Sequence, residues 1–518
     1  LDKKRFKFQH NKMSDAAGFN LAETGGGAAA FVSGAHEVTG DPMAYAPTAV
    51  TGFSIAYVVD RPDNAGDYPD LRLNPRLLAK LLTQSYVASE RGRSHPGMTG
   101  NPTSINLDPE FQKLNPGLDA VPREAAATLL SLSESSDVIS TLTSYIAQDE
   151  DAMAFVNGKP DPYGMKVNPS YKKIDLPTSE WPLLDDFVAP SELECYQQNP
   201  APYFTQIAAP VTSLRKIAEA VLDAWPNVQT KCDRATTTDP WKIGRVDRQG
   251  VGTRFMLGVV SIGDAERLGL SQASLQTRGS TFVGPTVQAM TKALRVAEPS
   301  ASGDEPFSLD MEKVLKADGY PGTMVVYTAA RTANLPAEDA EKVSEFIQVS
   351  TSEGQRSGYG NGELPPGFVP LRRSGVTAPL WKQAQAVATA ISEQKGATKG
   401  DGGAGDGAGG GAGTGGTGGT GGTGGGLGPG SVTEVGPSTD DTGTDPGTKK
   451  GADKDRDTVK GTGKGKDDGT ADIVAMPPTA AVSSPVAERI LPFLLLVAIV
   501  GAILANIGRL RRIRRRAS

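Results

Sequence analysis

The stretch "TGFSIAYVVD", residues 51–60, decides the predicted fold. It is rich in β-branched and aromatic residues and is bounded by Gly and Pro, which is the pattern of a strand. Two later stretches share this pattern, "RFMLGVVSI" (254–262) and "GTMVVYTAA" (322–330). We therefore predict three strands that lie far apart along the chain.

Amphipathic helices separate these strands. Apolar residues recur at helical spacing in four segments, 74–86, 212–225, 283–295 and 338–351. Strands that alternate with helices predict an α/β body with mostly parallel sheets. The length of this body suggests two lobes.

The C-terminal part of the chain is of low complexity. Residues 395–486 hold a tract of Gly, Ala and Thr, followed by a tract of Lys, Asp, Gly and Thr. Neither tract has the apolar surface that would offset the entropy lost on ordering. We predict a disordered stalk.

A membrane anchor is predicted after the stalk. The segment "ILPFLLLVAIVGAILANIG" (490–508) is uncharged and long enough to span a bilayer, although a buried core helix is the alternative. The basic tail at 509–518 favours the span, because Arg-rich flanks stay in the cytoplasm. We expect a single-pass protein of the cell membrane that contacts the lipid bilayer through this helix. Its body would be extracellular and its C-terminus cytoplasmic.

The charge balance argues against nucleic acid as a partner. The formal net charge of the chain is −6, and removing the six arginines of the tail leaves −12 for residues 1–508. So acidic a body disfavours binding to a polyanion.

Cys195 and Cys232 are the two cysteines of the chain. In an oxidising compartment they would form a disulfide, which stabilises by roughly 3 to 4 kcal/mol in the chain-entropy model. Two free buried thiols are the alternative. The predicted disulfide rests on the compartment alone.

A series of motifs runs through residues 42–372. In order, they are "YAPTAVTGFSIAYVVD", "LRLNPRLLAKLLTQSY", "LDPEFQKLNPGL", "LGVVSIGDAERLGL", "YPGTMVVYTAA", "FIQVSTSEGQ" and "ELPPGFVPL". This order resembles that of the phosphate-binding solute receptors of ABC importers. The order is more specific than any one motif.

The resemblance implies a two-lobed fold of the type II periplasmic-binding kind, in which two crossover strands join α/β lobes around a ligand. The first lobe would comprise 1–70 plus 316–394, and the second would comprise 71–315 with an insertion near 160–250 that holds both cysteines. Family ligand residues of the first lobe fall largely before this sequence begins or within its first part, so we expect that lobe to be incomplete. The opening "LDKKRFKFQH" lacks an apolar signal region, and we expect a mature chain or a fragment.

By the same resemblance, "SESSDVIST" (133–141) takes the place of the family's anion loop. Such a loop binds through backbone N–H groups at a helix N-terminus and through a paired Arg. The ligand residues it implies here are Ser133, Ser135, Ser136 and Asp137.

This loop departs from the family pattern in its charge. Leu132 stands where the Arg would be, and Glu134 and Asp137 bring negative charge to the helix N-terminus. Two like charges about 4 Å apart repel by roughly 4 kcal/mol at an effective dielectric of 20, so ionised phosphate would bind poorly. An acid in the first turn equally suits a capped structural helix. Two interpretations of this segment therefore remain. It is a structural helix cap, or it is a loop that binds a neutral, cationic or protonated ligand.

The segment "MSDAAGF" (13–19) is similar to the family's "GSDAPL" ligand turn through Ser14 and Asp15. The resemblance makes these two residues candidate ligands from the first lobe. An N-capping Ser-Asp turn is the alternative.

Motifs for catalysis or metal binding are not found in the sequence. His10, His36 and His95 have no HExxH or Cys/His spacing around them and are predicted to be surface residues. The chain has no GxSxG elbow and no P-loop, and acid pairs such as Asp185–Asp186 fit an acidic surface. We predict no catalytic residue, no metal and no cofactor, and therefore no enzyme.

The expected function is that of a membrane-anchored extracellular solute-binding protein of the phosphate-receptor type. It would capture a small solute, with phosphate among the candidates, between two lobes for transport or sensing. The expected protein partner is the permease of an ABC transporter. The alternative is a cell-surface adhesion or structural protein that uses the binding fold as a scaffold.

Overall fold

The computed structural model describes residues 8–118, 127–207, 211–226 and 228–396. Their α-helices are α1 (Asp15–Glu23), α2 (Pro75–Leu82), α3 (Pro109–Leu114), α4 (Asp137–Ala147), α5 (Glu150–Val156), α6 (Glu194–Gln198), α7 (Tyr203–Ile207), α8 (Leu214–Leu222), α9 (Ile262–Leu268), α10 (Val287–Leu294), α11 (Met311–Lys316), α12 (Ala337–Ser350) and α13 (Ala378–Glu393). Their strands are β1 (Ala30–Val32), β2 (Met43–Val59), β3 (Arg72–Leu73), β4 (Thr230–Asp233), β5 (Lys242–Arg245), β6 (Phe255–Ser261), β7 (Ser271–Gln272), β8 (Ser274–Gln276), β9 (Phe282–Val283) and β10 (Thr323–Arg331).

The strands and helices predicted from periodicity are confirmed. The three predicted strands are β2, β6 and β10, and the four predicted helices are α2, α8, α10 and α12. Each helix is shorter than or equal to its predicted segment, since periodicity does not mark helix ends well. Asn74 and Thr286 supply the side-chain caps that start α2 and α10.

The main sheet has the strand order β1-β10-β2-β6, with β7 also paired to β2. All of these pairings are antiparallel, so the prediction of mostly parallel sheets is wrong. Among the named strands of the described residues, only β3 and β8 pair in parallel. Alternation of strands with helices does not set strand direction here, because the strands that pair are not consecutive in the chain.

Strand β2 belongs to both halves of the main sheet. Residues 43–52 pair with β10, and residues 53–59 pair with β6. The strand begins before the predicted stretch and continues through Pro47, opposite which the register with β10 shifts. A bulge is where a strand tolerates Pro, since Pro has no N–H to donate to the ladder.

Two glycines let β2 and β10 approach each other where β2 changes partner. A Cβ on Gly52 would lie 1.9 Å from the carbonyl oxygen of Gly322, and one on Gly322 would lie 2.4 Å from the carbonyl oxygen of Phe53. Neither position has room for a side chain. The backbone spacing at this crossing therefore depends on both glycines.

Helices cover the sheet at both ends. Near the start of β2, side chains of α12 and α13 pack on Ala44, Ala46 and Ala330. Near its end, α8 and α9 pack on Ala56 and on β6. Tyr45, Phe53 and Tyr57 of β2 pack in the larger core cluster, so the strand is buried along most of its length. The described residues from His10 onward belong to one compact unit, and the division into two lobes stays a prediction.

The disulfide between Cys195 and Cys232 is confirmed, with Cα atoms 6.0 Å apart. It joins α6 to β4, which forms a hairpin with β5. The predicted pairing therefore closes the segment that the resemblance identifies as an insertion.

The predicted stalk beyond residue 396, the apolar segment 490–508 and the basic tail lie outside the described residues. Within the described ranges, no helix combines the length and the apolar character needed to cross a bilayer.

Replacing Gly52 with Ala should lower the free energy of unfolding by about 1 to 3 kcal/mol, because its Cβ forces β2 away from β10. Urea unfolding of the full chain measures this. Gly100→Ala is the control, since a Cβ there meets nothing within 4 Å. Equal losses in both variants would contradict the close crossing.

Candidate functional site

The N-terminus of α4 is a capped helix start. Ser136 has extended backbone angles, and its hydroxyl accepts a hydrogen bond from Val138 N at 3.2 Å. This satisfies one of the backbone donors that a helix start leaves without an intrahelical partner. The structural cap considered from the sequence is therefore present.

A second cap comes from a distant part of the chain. Asp15 Oδ2 accepts hydrogen bonds from Asp137 N at 2.7 Å and from the Ser136 hydroxyl at 3.0 Å. Asp15 lies in the first turn of α1, which Ser14 caps by accepting from Ala17 N at 3.4 Å. The two predicted ligand turns thus meet, and the carboxylate of one occupies donors of the other.

The carboxylate of Asp137 also accepts hydrogen bonds from the chain. Its Oδ2 accepts from Ser33 N at 2.5 Å and Gly34 N at 2.8 Å, and its Oδ1 lies 3.3 Å from His36 Nε2. A Cβ on Gly34 would lie 3.2 Å from Asp137 Oδ1, so the loop is close because it carries Gly there. We call Asp15 and Asp137 the carboxylate pair.

The electrostatics of the pair follow from burial and contact. Burial and the neighbouring Asp137 charge raise the pKa of Asp15. Burial also disfavours the charge on Asp137, but His36 and the backbone donors outweigh it and lower the pKa of that carboxyl. The contact with Asp137 raises the pKa of His36. The pair therefore favours a protonated His36 and leaves negative charge at the helix N-terminus.

The remaining predicted ligand residues do not contact the carboxylate pair. Ser133 N donates to the Val211 carbonyl at 3.2 Å, and the Ser135 hydroxyl lies 3.4 Å from that of Ser179. Leu132, at the position of the family's Arg, forms a parallel bridge with Val211. These residues lie near α4 because they directly precede it in the sequence. Ser133 and Leu132 contact Val211, however, and Ser135 contacts Ser179.

A cavity of about 310 Å³ lies along α4, and neither member of the carboxylate pair is among its described lining residues. Ser33 and Thr141 connect the two: Ser33 N donates to Asp137, and the Thr141 hydroxyl donates to the Asp137 carbonyl. The cavity is lined by Ser33, Ser140, Thr141, Ser144, Gln148, Phe307, Leu309, Met311, Val314, Pro321, Thr323, Met324, Val325 and Tyr327. None of these residues is charged.

The two walls of this cavity differ in polarity. Ser140, Ser144 and Gln148 repeat every fourth residue, so they form one stripe on α4. Within the described part of the chain, no hydrogen-bond partner is found for these three side chains. The opposite wall, from Phe307 to Val314 and along β10, is mostly apolar. The sequence analysis did not predict this cavity, although polar residues at every fourth position of α4 indicate a polar face.

Three buried carboxylates form the group best placed to hold a cation among the described residues. Oxygen atoms of Asp108, Glu110 and Asp161 lie within 4.8 Å of one another. The Lys80 ammonium already lies among them, at 2.7, 2.8 and 2.6 Å respectively. Burial disfavours its charge, yet Asp108 and Glu110 raise the pKa of Lys80. The lysine supplies the cation that these acids need.

A second buried ion pair joins His95 and Asp185. His95 Nδ1 contacts the Pro96 carbonyl at 2.8 Å, and Nε2 contacts Asp185 Oδ2 at 3.0 Å. Both partners are acceptors, so a ring that is protonated on both nitrogens satisfies both contacts, and these contacts raise the pKa of His95. The prediction of a surface position is wrong for His95 and for Asp185, which are 4% and 5% exposed.

Comparisons with known proteins show a distant likeness in fold. No family model and no curated protein matches the chain. A solved phosphate-binding protein from Stenotrophomonas maltophilia is 13% identical with a TM-score of 0.32, covering 66% of this chain and 70% of its own. A second structure of such a protein from that organism is 15% identical with a TM-score of 0.31, covering 68% and 73%. A DING protein is 13% identical with a TM-score of 0.30, covering 67% and 72%. At these values the likeness carries no argument about the residues of the site.

Substituting Lys80 with Met should cost about 3 to 5 kcal/mol of unfolding free energy, because it leaves buried carboxylates without their cation. Lys342→Met, at an exposed i,i+4 pair with Glu338, is the matched control and should change stability little. Urea unfolding measures both. Similar losses in the two variants would show that the buried cation is not needed.

The ion pair of His95 predicts a pH-dependent stability. Burial opposes the charge on His95, but Asp185 and the Pro96 carbonyl outweigh it and raise its pKa above the ordinary 6.5. The stabilisation is therefore complete below pH 6.5 and is lost as pH rises through the raised value. His95→Gln should destabilise most at low pH, and the difference from wild type should shrink as pH rises.

Unfolding free energies between pH 5.5 and 9 test this dependence. The same substitution at the exposed His10 is the control. A difference between wild type and His95→Gln that stays constant with pH would contradict a charged His95.

Proposed function

We propose that this protein binds a small solute in the cavity between α4 and β10. One observation carries the proposal: the stripe of Ser140, Ser144 and Gln148 faces an apolar wall across a space of about 310 Å³. Solute sites are typically concave, with mostly apolar walls and a few polar groups that set orientation. The described residues provide no hydrogen-bond partner for the hydroxyl and amide groups of this stripe, so these groups are available to a solute.

Closure around the solute is the mechanism we propose. Residues that line the cavity come from both predicted lobes: α4 from 71–315, and Pro321 to Tyr327 from 316–394. A solute that contacts both sides stabilises the closed arrangement by its differential affinity for it. A permease could then recognise the closed form.

We infer binding rather than catalysis. A serine acts as a nucleophile only with a base within hydrogen-bond reach. The described lining residues include Ser33, Ser140 and Ser144, but no His, Asp, Glu, Lys or Cys. The solute would be released from the cavity without chemical change.

We further propose that the body is extracellular and is tethered by the apolar segment 490–508. The uncharged run followed by an Arg-rich tail supports this. The disulfide supports it independently, since disulfides persist mainly in oxidising compartments.

An adhesion or structural role is the second candidate. The observation that favours it is the use of the α4 N-terminal donors by Asp15, which fills the position predicted to bind an anion. A scaffold has no need of an open anion site.

Thermal unfolding of the full chain in detergent, with phosphate, sulfate, glucose and myo-inositol, separates the two candidates. A solute at a hundred times its Kd adds about 2.7 kcal/mol to the unfolding free energy. Ser144→Leu narrows the cavity and should abolish that gain, whereas Ser392→Leu, on the exposed side of α13, should keep it. A wild-type chain that none of the four stabilises would favour the scaffold.

A further inference from the structure

We infer that the solute is uncharged, with hydroxyl or amide groups on one side and an apolar surface on the other, and that Asp15 and Asp137 exclude anions. This inference rests on the proposed function and names its ligand class. It follows from the two walls of the cavity and from the hydrogen bonds of the carboxylate pair.

The polar wall suits a neutral solute. Ser140, Ser144 and Gln148 each donate and accept hydrogen bonds, and none carries a charge. An ion that entered the cavity would lose water without meeting a counter-charge among the described lining residues. A solute with hydroxyl groups would exchange its water for these side chains at little cost.

The apolar wall is complementary to a solute that also has a less polar side. It includes Phe307, Leu309, Met311, Met324 and Tyr327. The Tyr327 hydroxyl accepts from Phe307 N at 2.8 Å, so the ring is held in place. Ring C–H groups of a sugar or cyclic polyol match such a surface.

The carboxylate pair occupies the donors that an anion would use. Asp15 takes the Asp137 N–H and the Ser136 hydroxyl. Asp137 takes the N–H groups of Ser33 and Gly34 and contacts His36. Both carboxylates are tethered to the chain, so they compete at high effective concentration with any free anion.

Charge adds to this exclusion. The pair contributes two carboxyl groups, and His36 is the only cationic side chain that contacts Asp137 among the described residues. Leu132 provides no guanidinium, and its backbone is engaged with Val211. An anion that approaches the N-terminus of α4 would meet net negative charge, and Leu132 supplies no guanidinium to offset it.

The experiment compares the full-length wild type with the double variant Asp15→Ala/Asp137→Gly. The variant frees the N–H of residue 137, the Ser136 hydroxyl and the N–H groups of Ser33 and Gly34. We expect phosphate to bind this variant at least tenfold more tightly than the wild type in calorimetry. Asp149→Ala is the matched control: Asp149 caps α5 by accepting from Ala152 N, and its loss should bring no phosphate binding.

The wild-type chain is measured with phosphate, sulfate, glucose and myo-inositol. Binding of an uncharged probe that Ser144→Leu abolishes, with phosphate binding gained only in the double variant, supports the inference. Binding of phosphate or sulfate to the wild type overturns it and leaves the proposed function standing. No binding by any probe to either chain overturns both. If the double variant does not fold, the wild-type choice between charged and uncharged probes decides the matter.

Discussion

The close crossing of β2 and β10 is the constraint on which the described fold depends. One strand pairs first with β10 and then with β6, so both halves of the main sheet share its backbone. Gly52 and Gly322 leave no room for side chains where the partner changes. Immediately after Gly322, β10 provides Thr323 to Tyr327 as one side of the cavity. The shape of the proposed site is therefore set by backbone spacing in the sheet.

The carboxylate pair shows how a local rule and a distant contact act on the same residue. An acid in the first turn of a helix is favourable by itself, and Asp137 satisfies that rule. Its side chain, however, turns to the loop at Ser33 and Gly34, and Asp15 takes over the backbone donor at the helix start. The helix is capped, and the donors of the predicted anion loop are used in capping it.

The buried charges and the polar stripe of α4 differ in their partners. Lys80 and His95 are buried charges whose donors meet carboxylates at 2.6 to 3.0 Å, so they hold the structure together. The α4 stripe faces an open cavity, and no partner for it is found in the described residues. Ser140 and Ser144 are half-buried and Gln148 is exposed, so water satisfies these groups when no solute is present. Polar side chains that line a cavity without protein partners are where a solute can add interactions.

The sequence by itself located the strands β2, β6 and β10 and the helices α2, α8, α10 and α12, and it favoured a disulfide between its two cysteines. Periodicity reports which residues face the core within a few turns, and two cysteines allow only one intramolecular pairing. It also suggested Ser14, Asp15, Ser136 and Asp137 as members of a site, through the family resemblance. Only the tertiary structure decided that the main sheet is antiparallel, that Asp15 fills the donors of α4, that His95 and Asp185 are buried, and where the cavity lies. These features depend on which distant segments come together, and local spacing along a chain carries no information about that.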